Sequence, residues 1–307
     1  MKVLFVGSGN HAKVSPIIKA QGDSLVKAGA DVDYFLVKGK GIKGYLNQVG
    51  PLRRYCKEHH FDVVHAHYSL SAYVASLAGV RPLVVSLMGS DVKATGWHGR
   101  AVRLFSKLFR WKDIIVKSKD MAEAVRITDA HIIPNGVDMD LFVPKSQQEC
   151  RQTLGWKEGG QHILFPADPN RPEKDFALAQ EAVKLLNKEV TIHVFQQVEH
   201  KETVLHYNAA DVVLLTSKWE GSPNAVKEAL ACNRPIVCTN VGDVKERLSG
   251  VEGCFVVESR NPKDLADAID LALEYKECLG GRDALKAAGL GNRQIADKII
   301  TIYKQIQ

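Results

Sequence analysis

Residues 212–238, VVLLTSKWEGSPNAVKEALACNRPIVC, decide the fold. VVLL is a short and nearly continuous apolar run, Ala225–Ala231 has helical spacing, and Pro235–Cys238 forms a second apolar run. Strand, loop, helix and strand in so few residues make a unit of parallel strands joined by a helix. Apolar runs that do not alternate with polar residues mark strands covered on both faces of a sheet. In the loop, Gly221, Ser222 and Asn224 open the helix, and the unpaired amides of a first helical turn can hold an anion. Glu220 at the loop tip and Glu228 in the helix supply two carboxylates, which suit paired sugar or ribose hydroxyls because each offers several acceptor lone pairs. Taken alone, the pair reads equally well as a helix-terminal charge and a solvated helical residue.

The same rhythm extends outward in both directions. Toward the N-terminus, Lys2–Gly7 and Val32–Val37 are strands around a helical pattern through Ile17, Ile18, Leu25 and Val26, and Val63–His65, Leu83–Leu87 and Ile114–Val116 follow with helical stretches between them. Nearer the quoted stretch, Ile163–Phe165 and Val190–Phe195 are strands, with helices at Lys174–Leu186 and Lys201–Asn208. Beyond it come a strand at Cys254–Val257 and helices at Pro262–Tyr275 and Gly291–Gln307. Residues 134–145, PNGVDMDLFVPK, are rich in Pro, Asn, Gly and Asp and read as a hinge. The expected organisation is an α/β chain with domains at 1–143 and 144–290 and a terminal helix at 291–307. Ligands of open parallel sheets sit outside the carboxyl ends of strands, which directs attention to the loops at 7–13, 65–71, 87–93, 166–174, 196–200 and 216–225.

Composition narrows the chemistry. The 307 residues are 45% hydrophobic and 25% charged, which suits two globular cores and excludes a disordered or fibrous chain. Six scattered cysteines without a CxxC or Cys/His ligand spacing read as reduced and structural, and no metal site is expected. No apolar run is long enough to span a bilayer, and MKVLFVGSGN runs into a strand where a signal peptide would continue its apolar region, so a cytoplasmic location is expected. Residues 1–145 carry 21 Lys/Arg against 12 Asp/Glu, whereas 146–307 carry 20 against 23. The positive front half suits an anionic partner; no zinc finger, RNP-like run or GxxG clamp makes that partner a nucleic acid. In FPADPNRPEK, Arg171 and Lys174 precede a helix start, where cations oppose the helix dipole unless an anion such as a diphosphate compensates them.

Read together, DVVHAHYSLSA (62–72), VVSLMGSDV (84–92), IIPNGVDMDLF (132–142), RPEK (171–174), the run from Tyr207 to Glu246 and GCFVV (253–257) resemble the retaining GT-B glycosyltransferases of family 4. The EGSPNAVKE spacing is the most specific of these motifs. The resemblance implies two Rossmann-like domains facing across a cleft, with a nucleotide-sugar donor and no cofactor or metal. It implies that Glu228 holds the ribose hydroxyls, that Glu220 lies against the transferred sugar, and that amides around Ser222, Asn224 and Ala225 contact the sugar or distal phosphate. Lys174 would neutralise the diphosphate with Arg171 beside it, Gly9 would approach that diphosphate from the other domain, and Val198 lies where the family holds the base. His67 and Asp91 are acceptor-side candidates, His67 being as readily a core histidine. In this family the acceptor is thought to attack from the leaving-group side, with a phosphate oxygen taking its proton.

Three departures accompany the resemblance. Met88 stands where many relatives have a histidine against the donor sugar, Pro169 stands where an arginine ordinarily precedes the diphosphate lysine, and a βα unit is trimmed between Phe195 and Val198. WHGRAVRLFSKLFRWK (97–112) sets Arg100, Arg103, Lys107 and Arg110 among apolar residues, the pattern of a basic helix that lies on an anionic membrane or snorkels over a protein core. The expected function is transfer of a sugar, from a UDP-sugar in preference to a GDP-sugar, to a saccharide or lipid-linked cell-envelope acceptor at the inner face of the membrane. A sugar-nucleotide epimerase of the same architecture and a non-catalytic nucleotide-sugar-binding protein are the alternatives.

Overall fold

The computed structural model describes residues 1–9, 14–39, 41–89 and 98–306. The chain divides into two compact units, Met1–Gly136 together with Asn292–Gln307, and Val137–Gly291.

The first unit is built on a six-stranded parallel sheet of β1 (Lys2–Ser8), β2 (Asp31–Val37), β3 (Val63–His67), β4 (Leu83–Ser86), β5 (Asp113–Val116) and β6 (His131–Ile132), in the order β2-β1-β3-β4-β5-β6. Its helices are α1 (Pro16–Lys27), α2 (Gly41–Leu46), α3 (Val49–Glu58), α4 (Ser69–Ala78), α5 (His98–Leu108) and α6 (Lys119–Val125). All five residues of β3 and all four of β4 are buried, as expected for parallel strands covered on both faces, and β3 carries His65 and His67 inside the sheet. Pro16 starts α1, where its missing amide costs no helical bond, and left-handed Gly79 ends α4. Leu4, Val6, Val64 and Val85 from the sheet and Leu87 just beyond β4 meet Leu52, Ala72, Ala75 and Val102 from the helices in one core.

The second unit has a five-stranded parallel sheet of β7 (Gln161–Phe165), β8 (Val190–Val194), β9 (Val212–Leu215), β10 (Ile236–Thr239) and β11 (Cys254–Val257), ordered β11-β10-β9-β7-β8. Its helices are α7 (Gln147–Leu154), α8 (Phe176–Lys184), α9 (Thr203–Ala209), α10 (Asn224–Ala231), α11 (Val244–Leu248), α12 (Pro262–Ala272) and α13 (Gly281–Ala287). Ser146 caps α7 by accepting from Glu149 N, and Asn261 caps α12 by accepting from Lys263 N. Strand β8 is an edge strand, and the chain passes from it through α9 directly to β9 on the far side of β7. The order therefore reverses between β7 and β9, and the loops leaving those strands diverge at a topological switch point.

The unit boundary falls at 136/137 and not at the expected 143. Residues 137–145 are fastened to the second unit: Val137 N donates to Leu290 O, Asn208 bonds Val143 O and Lys145 N, and Arg282 donates to Met139 O and Phe142 O. The terminal helix α14 (Asn292–Gln305) belongs to the first unit and packs on α1. Its Tyr303 hydroxyl meets His65 Nδ1, while His65 Nε2 reaches Ser86 Oγ at 2.8 Å. All six cysteines are free thiols, and no described helix is long and apolar enough to cross a membrane.

Candidate functional site

The loops after β7 and β9 are stitched to each other by backbone and side-chain bonds. Lys218 N donates to Glu173 O at 2.8 Å, and Thr216 Oγ1 donates to Lys174 O at 3.0 Å and Asp175 O at 2.8 Å. Arg260 spans both, giving Nη1 to Ser217 O at 3.0 Å and Nη2 to Thr216 O at 2.9 Å and to Asp175 Oδ2 at 2.6 Å. Asp175 sits at φ 52°, a left-handed turn that ends the first loop and opens α8. This frame carries Lys174 and Glu220 into direct contact: the ammonium donates to Glu220 Oε1, which also accepts from Ser217 Oγ at 2.8 Å. Both side chains are about one-sixth exposed, so the pair is largely shielded from solvent.

Arg171 is turned into its own loop, with Nε and Nη2 on Glu173 Oε1 at 2.8 and 2.6 Å. The sequence expectation placed it beside Lys174 on an anion; in the structure its charge is matched by a carboxylate two residues away.

Glu228 is tied from two sides. Tyr207 donates its hydroxyl to Oε2 at 2.8 Å, and His200 Nε2 lies 3.0 Å from Oε1. The hydrogen bond and the negative charge of Glu228 raise the His200 pKa above its ordinary value against the opposing effect of burial. Burial, then Glu228, pushes the Tyr207 hydroxyl far up, so it stays a donor. A carboxylate with one donor on each oxygen keeps a lone pair on each for a further donor, as a pair of ribose hydroxyls would require. The sequence directed attention to the loop 196–200 without singling out His200. Val198 lies half-buried in that loop.

At the start of α10, Ser222 is buried, and Asn224 turns a buried Oδ1 inward that has no hydrogen-bond partner among the described residues. Ala225 continues the first turn of the helix. The loop after β10 closes against this start: Asp243 N donates to Gly221 O at 3.2 Å, and Gly242 takes a left-handed φ of 60° so tightly that a Cβ there would fall 2.1 Å from Gly221 O. Only glycine fits that approach.

The residues assigned to the acceptor side fare differently. His67 is fully buried, stacked on His65 at 4.3 Å and against Phe5 at 4.4 Å, and burial drives its pKa down to about 3. It is a neutral core histidine, which corrects its placement on the acceptor side. Asp91 lies outside the described residues. Gly9 gives its amide to Val37 O at 2.8 Å, and a Cβ on it would meet Leu36 Cβ at 2.7 Å, so its small size serves the β1–β2 pairing. Among the described residues no group of three or more His, Cys, Asp or Glu side chains could hold a metal ion.

Both units match known family profiles. Residues 18–141 match Glycosyltransferase Family 4, and residues 164–274 match Glycosyl transferases group 1, together about three quarters of the chain. The chain belongs to the family 4 glycosyltransferases. Among family members, D-inositol 3-phosphate glycosyltransferase of Geodermatophilus obscurus is 25% identical in an alignment covering 80% of this chain and 66% of that protein. The putative teichuronic acid biosynthesis glycosyltransferase TuaC of Bacillus subtilis is 26% identical over 68% of this chain and 60% of that protein. The chain thus spans slightly less than two thirds of these two relatives. Anabaena HepE, solved in complex with UDP, superposes with a TM-score of 0.76 over 99% of this chain and 100% of that one at 18% identity. The two parallel sheets are those of the GT-B fold of these glycosyltransferases.

Proposed function

We propose that the protein is a retaining glycosyltransferase that moves a sugar from a UDP-sugar to a saccharide or lipid-linked acceptor of the cell envelope. The observation that carries this is the Lys174–Glu220 pair at the β7/β9 switch point, on the loop that leads into the Glu228 helix. Each group has a task in such a transfer. Glu228, oriented by His200 and Tyr207, accepts the ribose hydroxyls. Lys174 exchanges Glu220 for the diphosphate and neutralises the charge that grows as the bond from the anomeric carbon to the phosphate oxygen breaks. Glu220, released from Lys174, is left to orient the sugar and to favour its positive charge in the transition state. The new bond forms between the anomeric carbon and the acceptor oxygen, whose proton passes to the departing diphosphate.

The preference for UDP is supported by the UDP bound to the Anabaena protein, and the cell-envelope acceptor by the teichuronic acid assignment of the Bacillus relative. Access to a lipid-linked acceptor is supported by α5, which exposes Leu104 at 63% and Leu108 at 66% beside Arg100 and Lys107, an apolar strip with cationic flanks suited to an anionic bilayer.

Calorimetric titration with UDP, GDP and ADP in the presence of a chelator tests the donor site. Selective micromolar UDP binding is the expected result. Binding to none of the three removes the reading, and binding without turnover over an acceptor panel leaves a nucleotide-sugar-binding protein. Turnover of a UDP-sugar without any acceptor points to an epimerase.

A further inference from the structure

A lysine in a short amphipathic helix ordinarily turns its ammonium to water. Lys227 on α10 does the opposite and is 1% exposed. Its Nζ lies 3.2 Å from Ser222 Oγ and 3.4 Å from Ser222 O, so it donates beneath the loop that leads into its own helix. Four charged groups act on it: Asp243 and Arg247 from the segment after β10, Glu228 from α10, and Glu220 from the loop after β9. Arg247 Nε is bound at 2.9 Å to one oxygen of Asp243, and the other oxygen is buried without a hydrogen-bond partner among the described residues.

This arrangement sets the direction of a hydroxyl. A serine that accepts a bond from an ammonium has its own proton left to give elsewhere. Ser222 is buried apart from 9% of its surface, in the loop where the anionic half of a donor would lie on the reading above. We infer that Lys227 is a positioning residue for the nucleotide sugar: its buried ammonium fixes Ser222 as an outward hydrogen-bond donor and places a positive charge behind the loop that grips the phosphate. The inference rests on the donor-site reading proposed above. Lys227 does not itself touch the donor; it acts through Ser222.

Burial lowers the pKa of Lys227 to about 8 against the opposing pull of Asp243 and Glu228. The cation is therefore present at neutral pH and is lost as the pH rises past that value, which couples donor affinity to pH in an unusual window for a lysine.

The test is UDP affinity at pH 7 and pH 9 for the wild type, Lys227→Met, Ser222→Ala and the double variant. Methionine keeps the buried volume while removing the charge. Each single variant is expected to lose about tenfold in affinity at pH 7, the scale of one hydrogen bond to a charged group. The double variant is expected to lose no more than either single, because the two residues form one chain to the ligand. Wild-type affinity should fall between pH 7 and pH 9 while that of Lys227→Met stays level. Affinity and pH profile unchanged in Lys227→Met, or losses that multiply in the double variant, overturn the inference while leaving the donor site intact. A wild type that binds no UDP at either pH removes the donor reading itself. Lysine side-chain nitrogen resonances of the wild type, recorded with and without UDP, give a readout independent of how the variants fold: an Nζ signal of Lys227 that does not move overturns the inference.

Discussion

The ammonium of Lys174 is ion-paired with the carboxylate of Glu220 across the loops that leave two adjacent strands, β7 and β9. Each group thereby neutralises the other, and on the proposed reading a donor diphosphate takes the place of Glu220 on the lysine. Substitution of the two partners should consequently affect nucleotide affinity differently. Lys174→Ala is expected to weaken UDP binding at least tenfold through loss of a charged hydrogen bond. Glu220→Ala frees the lysine and is expected to leave UDP affinity equal or up to about threefold tighter while turnover falls by about a hundredfold or more. Calorimetry and an initial-rate assay on both variants separate the two effects, and equal losses of UDP affinity would contradict them.

The His200–Glu228 contact makes a pH-dependent prediction. Because the folded-state pKa of His200 is raised, chiefly by its bond to Glu228, the contact contributes stability that is fully present below the unfolded-state value near 6.5 and is lost as the pH rises through the folded-state midpoint. Nuclear magnetic resonance titration of the His200 ring should show that midpoint above 6.5. Glu228→Gln should return it downward, and an unchanged midpoint would show that Glu228 is not its cause.

Gly242 tests the close approach of the loops after β9 and β10. Gly242→Ala must either leave its left-handed backbone or displace Gly221, and it is expected to lower stability by about 1–3 kcal/mol. Because Gly221 leads into Ser222, UDP affinity should fall with it. Urea unfolding and UDP titration of the variant, in which no change in either would place Gly242 outside the site, check both effects.

Tyr303 tests how far the terminal helix is part of the first unit. Tyr303→Phe leaves buried His65 Nδ1 without its partner and is expected to cost about 1–3 kcal/mol in chemical unfolding. Removal of residues 292–307 deletes the buried Ile295, Ile299 and Ile302 and uncovers the face of α1 against which α14 packs, and should unfold that unit. A truncated chain with an unchanged circular dichroism melt would refute this.

The exposed strip on α5 predicts selective membrane contact. Wild-type protein should cosediment with vesicles containing phosphatidylglycerol and not with pure phosphatidylcholine. Leu104→Gln with Leu108→Gln should lower the bound fraction about tenfold or more, since burying a leucine is worth about 1.5–3 kcal/mol. Equal sedimentation of the double variant would assign the strip another role.

Much of the fold was legible because its signals are local. Val212–Leu215 and Cys254–Val257 were found at their observed bounds, since buried parallel strands are uninterrupted apolar runs. Strand β6, two residues long, carries no such run and has no counterpart among the strands expected from the sequence. The expected hinge at 134–145 contains the division at 136/137, but the domain boundary expected at 143 lies later than it, because Pro, Asn and Gly mark a turn and do not show which side of it holds the chain; Arg282 and Asn208 do.

The sequence by itself determined the alternation of strands and helices, the presence of two α/β halves and the loops where chemistry belongs, all of which follow from periodicity and glycine placement within a few residues. Tertiary structure alone decided the partners. Lys174 meets Glu220 over 46 positions because β9 lies beside β7, and His200 meets Glu228 over 28 because α9 and α10 pack together. The same holds for Lys227 and His67, whose charged and polar types are compatible with solvent, ligand or core. Which of these each occupies is set by the packing of distant segments, and no local pattern in the chain encodes it.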